Sequence, residues 1–105
     1  MKIRFYRSSD RQALQAYQLT DLRFTSHPKE AVADLENRYA ILGLVEHQIV
    51  TFLILDAGEK KFTYGGQSDS LLLRSFSTDE DFQMRGYGSQ TLKLLPDFIR
   101  EHLPM

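Results

Sequence analysis

The spacing of hydrophobic and polar positions predicts a short strand followed by a helix at the start of the chain. Residues 2–7 place Ile3 and Phe5 on one face of a strand. Ser8-Ser9-Asp10 ends this strand, and Ser9 with Gln12 three residues later has the form of a capping box. An imperfect helical stripe follows at Ala13, Leu14, Tyr17, Asp21 and Leu22.

A second helix and a hairpin are predicted next. Ser26-His27-Pro28 opens the helix, because a proline in the first turn lacks an N–H that would have no partner there anyway. Its apolar face consists of Ala31, Val32 and Leu35. Residues 39–45 and 49–55 are two apolar, β-rich runs, and the polar Glu46-His47-Gln48 between them predicts a hairpin turn.

The second half of the chain predicts a loop, a strand, a glycine-containing turn and a helix. Residues 56–69 form a polar loop with Gly58, Gly65 and Gly66. The strand spans residues 70–78, and its apolar start, 71–73, predicts burial on both faces in the middle of a sheet. Pro96 is expected to kink or divide the helix. One core is expected from Leu71, Leu73, Phe76, Leu92, Leu95 and Ile99. The order β-α-α-β-β-β-α indicates an α+β or mixed α/β fold.

Composition narrows the class of protein. The 105 residues suit one domain, residues 1–105, and 42% apolar with 26% charged residues is typical of globular proteins. A net charge of -1 without a basic run argues against nucleic-acid binding and against an anionic membrane surface. The absence of cysteine excludes disulfides, thiolate metal sites and a cysteine nucleophile. The sequence also lacks a signal peptide and a bilayer-length apolar run, so a cytoplasmic protein is expected.

The glycine-containing turn between the last strand and the last helix carries the clearest chemistry. Gly86 and Gly88 have no Cβ to block a ligand's approach to the backbone. The unpartnered N–H groups and the positive dipole end of the next helix favour a phosphate, and Arg85 adds a charge at the rim. A tight turn without a ligand is the alternative, since short glycine patterns are common. The spacing fits neither a P-loop nor a dinucleotide fingerprint.

This segment resembles a family signature. Gln83-Met84-Arg85-Gly86-Tyr87-Gly88 is similar to the Q/R-x-x-G-x-G/A motif of GNAT-family N-acetyltransferases. The preceding strand, residues 72–78, and Phe82 also resemble the family's pattern. The likeness covers the order of elements throughout and the motif over residues 71–99. It implies a GNAT-like fold with a central, mostly antiparallel sheet and helices on both faces.

The resemblance also implies roles for the residues of this segment. The co-substrate would be acetyl-CoA, with its pyrophosphate on the backbone N–H groups of Met84, Arg85, Gly86, Tyr87, Gly88 and Ser89. Gln83 would shape the loop, and the backbone of Phe76, Ser77 and Thr78 would pair with the pantetheine arm. The N–H near Thr78 would polarise the thioester carbonyl. The acetyl group would pass directly to a primary amine of an unknown acceptor.

No catalytic residue is identified by a motif. The carboxylates Glu46, Asp69, Asp79, Glu80 and Asp81 are candidate general bases, although a solvated acidic loop is the more ordinary explanation of residues 79–81. The three histidines, His27, His47 and His102, lack metal-ligand spacing, so no metal is expected. Phe52, Phe62 and Tyr64 are candidates for an acceptor pocket or for the core. Tyr87 is expected to pack rather than to act as a catalytic phenol.

The resemblance also predicts missing parts. GNAT domains continue with a fifth strand beside the fourth, a helix that often carries an acidic tyrosine, and further strands. The sequence ends at Met105, so we expect an N-terminal portion of a longer protein or a shortened homologue that dimerises through the open edge of its last strand. Two alternatives stay open: a non-catalytic CoA-binding or interaction module, and a structural domain with a glycine turn.

Overall fold

A computed structural model describes residues 1–20, 27–57 and 71–103. Within them the strands are β1 (Lys2–Phe5), β2 (Arg38–Val45), β3 (Gln48–Asp56) and β4 (Leu72–Thr78). The helices of these ranges are α1 (Arg11–Gln15), α2 (Pro28–Ala31) and α3 (Tyr87–His102), with 3-10 turns at Ser8–Asp10 and Glu80–Phe82. The strands form one antiparallel sheet in the order β1-β2-β3-β4. The chain is therefore an α+β protein.

The two faces of the sheet are covered by different helices. On one face, Leu42, Phe52 and Ile54 pack with Leu14 of α1 and with Tyr17 just beyond it. Ala31 of α2 is partly buried against the same cluster. On the other face, the core consists of Ile41, Leu53, Leu55, Leu95, Phe98 and Leu103, the last three from α3 and the residue that follows it. Successive side chains of β2 and β3 thus point to opposite faces of the sheet and belong to two separate cores.

The strand buried on both faces is β3, and the prediction of such burial for residues 71–73 is wrong. Every residue of β3 from Ile49 to Asp56 is buried. By contrast, Leu73 of β4 is 41% exposed. Among the described strands β4 pairs with β3 alone, so it lies at the edge of the sheet and only one of its sides is flanked. An apolar run by itself does not distinguish an edge strand from a central strand.

The last helix is continuous through Pro96, and one of its expected core residues is exposed. Pro96 lies within α3 without dividing it. It is exposed, on the helix surface away from the sheet. The buried side chains of α3 are Thr91, Leu95 and Phe98, whereas the predicted core residue Leu92 is 42% exposed. Leu71, Phe76 and Ile99 are partly buried against Leu95, as predicted, and Leu73 and Leu92 are not part of that core.

The helix starts differ in part from the prediction. The Asp10 carboxylate, not Ser9 with Gln12, holds the turn before α1, because it accepts a hydrogen bond from the Arg7 N–H at 2.8 Å. His27 caps α2, and its Nδ1 accepts from the Lys29 N–H at 3.1 Å. The predictions for Asp21, Leu22, Ser26, Gly58, Phe62, Tyr64, Gly65, Gly66, Asp69 and Ser70 lie outside the described residues.

The hairpin between β2 and β3 has a two-residue turn. Val45 pairs with Gln48, and the central residues Glu46 and His47 have φ of 52° and 69°. Two successive positive φ angles define a type I′ turn, whose twist matches that of the strands. Such turns favour Asn-Gly, so this turn holds two residues in a conformation that is unfavourable for them.

A glycine lets α3 approach the sheet closely. Gly43 of β2 pairs with Thr51 of β3, whose side chain lies over the glycine. The Thr51 hydroxyl hydrogen-bonds the Thr91 hydroxyl of α3 at 2.8 Å, and both side chains are buried. A Cβ at Gly43 would overlap Thr51 Oγ1.

We expect Gly43→Ala to destabilise the protein by about 1–3 kcal/mol, because the methyl group displaces Thr51 and breaks its bond to Thr91. Urea unfolding measures the loss. In a double-mutant cycle with Thr51→Ala, the combined cost should be smaller than the sum of the single costs. Additive costs would show that the overlap at Thr51 is not the cause.

A partly buried ion pair ties β1 to the turn before α1. The Arg4 guanidinium donates to both carboxylate oxygens of Asp10 at 2.8 and 2.9 Å. These bonds, helped by the Arg7 N–H, lower the pKa of the Asp10 carboxyl, although desolvation acts against them. A lowered pKa means that the unfolded chain binds more protons near pH 4, so the pair's stabilisation is lost as the pH falls through the folded-state pKa.

We therefore expect Asp10→Asn to flatten the acid limb of stability below about pH 4. Urea midpoints measured between pH 6 and pH 2 would show a smaller decline in this variant than in the parent. The matched control is Asp97→Asn, which removes an ion pair with Arg100 whose side chains are more than two-thirds exposed. Equal slopes in Asp10→Asn and the parent would contradict the assignment.

Candidate functional site

The predicted glycine turn lies at the start of the longest described helix. Gly86 is the N-cap of α3, with φ of 78°, the left-handed region that favours glycine. No side chain caps the helix at this position. The N–H groups of Tyr87, Gly88 and Ser89 therefore open the helix without a side-chain acceptor, at its positive dipole end. The turn presents backbone donors in the manner expected of an anion site.

The turn packs against the end of β4. A Cβ placed on Gly88 would lie 3.4 Å from Thr78 Oγ1 and 3.6 Å from Phe76 Cζ. The Gln83 side-chain amide lies 3.5 Å from the Thr78 carbonyl oxygen, at the limit of a hydrogen bond. The structure thus brings together Phe76, Thr78 and the glycine turn, which the sequence assigned to one site.

Ser77 faces the other side of the sheet. Its hydroxyl hydrogen-bonds the Tyr17 hydroxyl at 2.9 Å. Burial raises the pKa of the Tyr17 phenol well above its ordinary value, so Tyr17 stays protonated. The side chain of Ser77 therefore belongs to the α1 face, and Ser77 can serve the predicted site only through its backbone.

The backbone of β4 is irregular just before these residues. Phe52 pairs with Ser77 and Ile54 pairs with Arg74, so Ser75 and Phe76 together lie opposite Leu53. Ser75 has a φ of 54°. This is a β-bulge, which bends the strand and changes the direction of the side chains that follow it. The bulge separates the regular start of β4 from its predicted ligand-binding end.

The outer edge of β4 is the side of the strand that faces away from β3. In the part of the chain that the structure describes, β4 pairs with β3 on one side and with no strand on the other. The Asp79 N–H donates to the Val50 carbonyl of β3 at 2.8 Å. Since successive N–H groups of an extended chain point to opposite edges, the Thr78 N–H points away from β3.

The other residues of the motif form an exposed rim. The guanidinium carbon of Arg85 lies 5.7 Å from the centroid of the Phe82 ring, which is 6.5 Å from the centroid of the Tyr87 ring. Met84 is fully exposed and has a φ of 66°. Ser89 is exposed in the first turn of α3. Arg85 is thus placed where it can add positive charge beside the open N–H groups.

The acidic residues after β4 do not form a solvated loop. Asp79 is only 5% exposed, and its two oxygens accept from the backbone N–H groups of Gln18 at 3.1 Å and Asp81 at 2.9 Å. Glu80 accepts from the N–H of Thr20 at 2.6 Å. Both carboxylates join the end of β4 to the segment after α1, which the sequence pattern did not indicate. Asp81 is exposed.

The remaining candidates lie away from the glycine turn. Glu46 and His47 form the exposed hairpin turn, and Phe52 is fully buried in the core. His27 Nδ1 accepts a backbone bond, so its Nε2 carries the proton donated to the Tyr17 carbonyl at 2.7 Å. His102 packs on the Phe98 ring. No group of three potential metal ligands occurs within residues 1–20, 27–57 and 71–103.

No protein-family model matches the chain, and no curated protein is significantly similar to it. None of the helices described is long and apolar enough to cross a membrane.

Proposed function

We propose that this chain binds acetyl-CoA and is an N-acetyltransferase domain of the GNAT type. The observation that carries the proposal is the contact between the glycine turn of α3 and the end of β4. This contact brings a helix start without a side-chain cap next to a strand edge that no other described strand covers. In CoA a nucleotide is joined to an amide-containing arm. The helix start would suit the pyrophosphate of the nucleotide, and the strand edge would suit the arm.

The pyrophosphate would bind at the start of α3. Its oxygens would accept from the N–H groups of Met84 to Ser89, where the helix dipole adds a favourable potential. Gly86 leaves this approach open, because a Cβ there would meet nothing within 4 Å and no protein atom occupies the space. Arg85 would supply a full charge at the rim.

The pantetheine arm would lie along the outer edge of β4. Its amides would pair with the backbone of Phe76 to Thr78 in the manner of an added strand. The outward Thr78 N–H would donate to the thioester carbonyl, where negative charge develops during acyl transfer. The acceptor amine would attack that carbon, forming the C–N bond as the C–S bond breaks. The amine proton would pass to a base, and CoA would leave as its thiolate.

A non-catalytic CoA-binding module is the second candidate, and one observation favours it. The carboxylates nearest the end of β4, Asp79 and Glu80, are engaged in hydrogen bonds that hold the backbone after α1. A general base should be able to reach the amine, so neither residue suits that role without movement. The activity of the 105-residue chain alone is therefore expected to be low.

We expect Gly86→Asn to fold like the parent and to bind CoA at least tenfold more weakly. Asparagine tolerates a positive φ better than other residues, so the helix start is kept while a side chain enters the phosphate site. Gly86→Val should abolish binding but also strains the backbone. Calorimetric titration with CoA measures affinity, and thermal unfolding checks the fold. Parent-like affinity in both variants would show that the cradle is wrong.

Two arginine variants test whether positive charge at the turn contributes to CoA binding. Arg85→Ala should weaken CoA binding modestly and reduce its dependence on salt, whereas Arg100→Ala near the end of α3 should do neither. Equal effects of the two changes would assign the electrostatic contribution to net charge rather than to the turn.

We further propose that the open edge of β4 before its bulge, at residues 72–74, pairs with a second copy of the chain, which leaves the edge at Phe76 to Thr78 for the pantetheine arm. Such an interface is isologous, with the same surface on both partners, and it would bury the exposed Leu73. The molecular mass in solution should therefore be that of a dimer, and acetyl transfer to a panel of amines by the 105-residue chain should be slow. A strict monomer with turnover above roughly 1 per second would contradict this proposal.

A further inference from the structure

Two adjoining cavities lie at the end of the sheet where β2 turns into β3. The first, about 300 Å³, lies between α1 and the hairpin, and the second, about 690 Å³, continues along β1. Arg4, Leu44, Glu46 and His47 line both. Because they share these four residues, the cavities form one site, which we call the hairpin cleft.

Small side chains keep the hairpin cleft open. Ala13 and Ala16 line it from the α1 side, and both are exposed to solvent. Leu44 and Ile49 of the hairpin form an apolar floor opposite them. Because an alanine fills little of the space beside a helix, the part of the cleft beneath α1 stays open.

Three cations and three carboxylates line the cleft as a whole, but they are unevenly divided between its two parts. The part along β1 is lined by Lys2, Arg4 and Arg7 and by the carboxylate of Glu46. Arg4 is fixed by its bidentate bond to Asp10, which leaves its Nε–H and one Nη2 hydrogen for another acceptor. The carboxylates of Asp10 and Asp79 line only the part beneath α1, and both accept internal hydrogen bonds. Lys2 and Arg7 therefore face one further carboxylate, that of Glu46.

The turn at the rim is held in an unfavourable conformation. Glu46 and His47 both have positive φ, in a type I′ turn that Asn-Gly would form at lower cost. Strained backbone of this kind is concentrated at binding and catalytic sites. The two strained residues are also two of the four shared by both parts of the cleft.

We propose that the hairpin cleft is a binding site for a small carboxylate with an apolar body. The carboxylate would lie on Lys2, Arg4 and Arg7, and the apolar body would cover the floor formed by Leu44 and Ile49. The apolar floor favours such a molecule over inorganic phosphate, which has nothing to place there. The floor of the cleft at Leu44 and Ile49 belongs to the core under α1, whereas the glycine turn packs on Thr78 beneath α3, and the two sites share no lining residue.

The test is an amide NMR titration of the protein with butyrate, phosphate and butanol. Butyrate should shift the resonances of Leu44, Glu46, His47 and Ile49 saturably. Phosphate lacks the apolar body and butanol lacks the charge, so each should bind more weakly. Phosphate that shifts these amides as strongly as butyrate would overturn the proposal.

Substitutions in the cleft should change the affinity for butyrate in a predictable direction. Lys2→Gln with Arg7→Gln should weaken butyrate binding by about three- to tenfold, and Ala16→Phe should fill the cleft and abolish it. Glu46→Gln should tighten binding about twofold, because it removes a like charge. Lys93→Gln, an exposed site on α3, is the control and should change nothing.

Unchanged affinity in the Lys2/Arg7 variant, or shifts spread evenly over exposed amides, would overturn the proposal. Gly86→Asn should bind butyrate like the parent, which separates this outcome from any result with CoA.

Discussion

Burial of β3 on both faces is the constraint on which the rest of the structure depends. Every residue from Ile49 to Asp56 is inaccessible, so each face of this strand needs a helical cover and each edge needs a neighbouring strand. Its side chains divide between two cores, with Phe52 and Ile54 under α1 and α2, and Leu53 and Leu55 under α3. Each buried aliphatic or aromatic side chain contributes about 1.5–3 kcal/mol, so no other element contributes as much.

The same strand fixes the candidate site from both sides. On the α3 face, Thr51 bonds Thr91, whose hydroxyl also donates to the Tyr87 carbonyl at 2.9 Å in the first turn of the helix. The start of α3 is therefore tied to the middle of the sheet. On the other side, the Val50 carbonyl accepts from the Asp79 N–H, and the Asp79 carboxylate holds Gln18. Two sets of hydrogen bonds that begin on β3 therefore hold the segment around the glycine turn. One set holds the start of α3, and the other holds the end of β4.

Local patterns in the sequence predicted the elements that local physics decides. The proline at the start of α2 and the glycine turn at Gly86 were correct, because each depends on a few adjacent residues. The hairpin was also correct, although its turn was predicted at residues 46–48 and Gln48 belongs to β3. Long-range decisions were not predictable in this way. Whether an apolar run such as 71–73 lies in the middle or at the edge of a sheet depends on what pairs with it. Leu92 was assigned to the core from its helical spacing with Leu95 and Ile99, whereas the buried residue is its neighbour Thr91, which bonds Thr51.

The acidic residues after β4 show why only part of the candidate site could be predicted from the sequence. A run of Asp79, Glu80 and Asp81 has the composition of a solvated loop, yet its carboxylates satisfy backbone N–H groups some 60 positions earlier in the chain. Backbone donors have no sequence pattern, so their acceptors cannot be identified before the fold is known. The two proposed sites also border neighbouring residues. Thr78 touches the glycine turn, and Asp79, the next residue, lines the hairpin cleft on the opposite side of the sheet. Because a strand directs successive side chains to opposite faces, one short segment at the end of β4 can border both sites while each keeps its own chemistry.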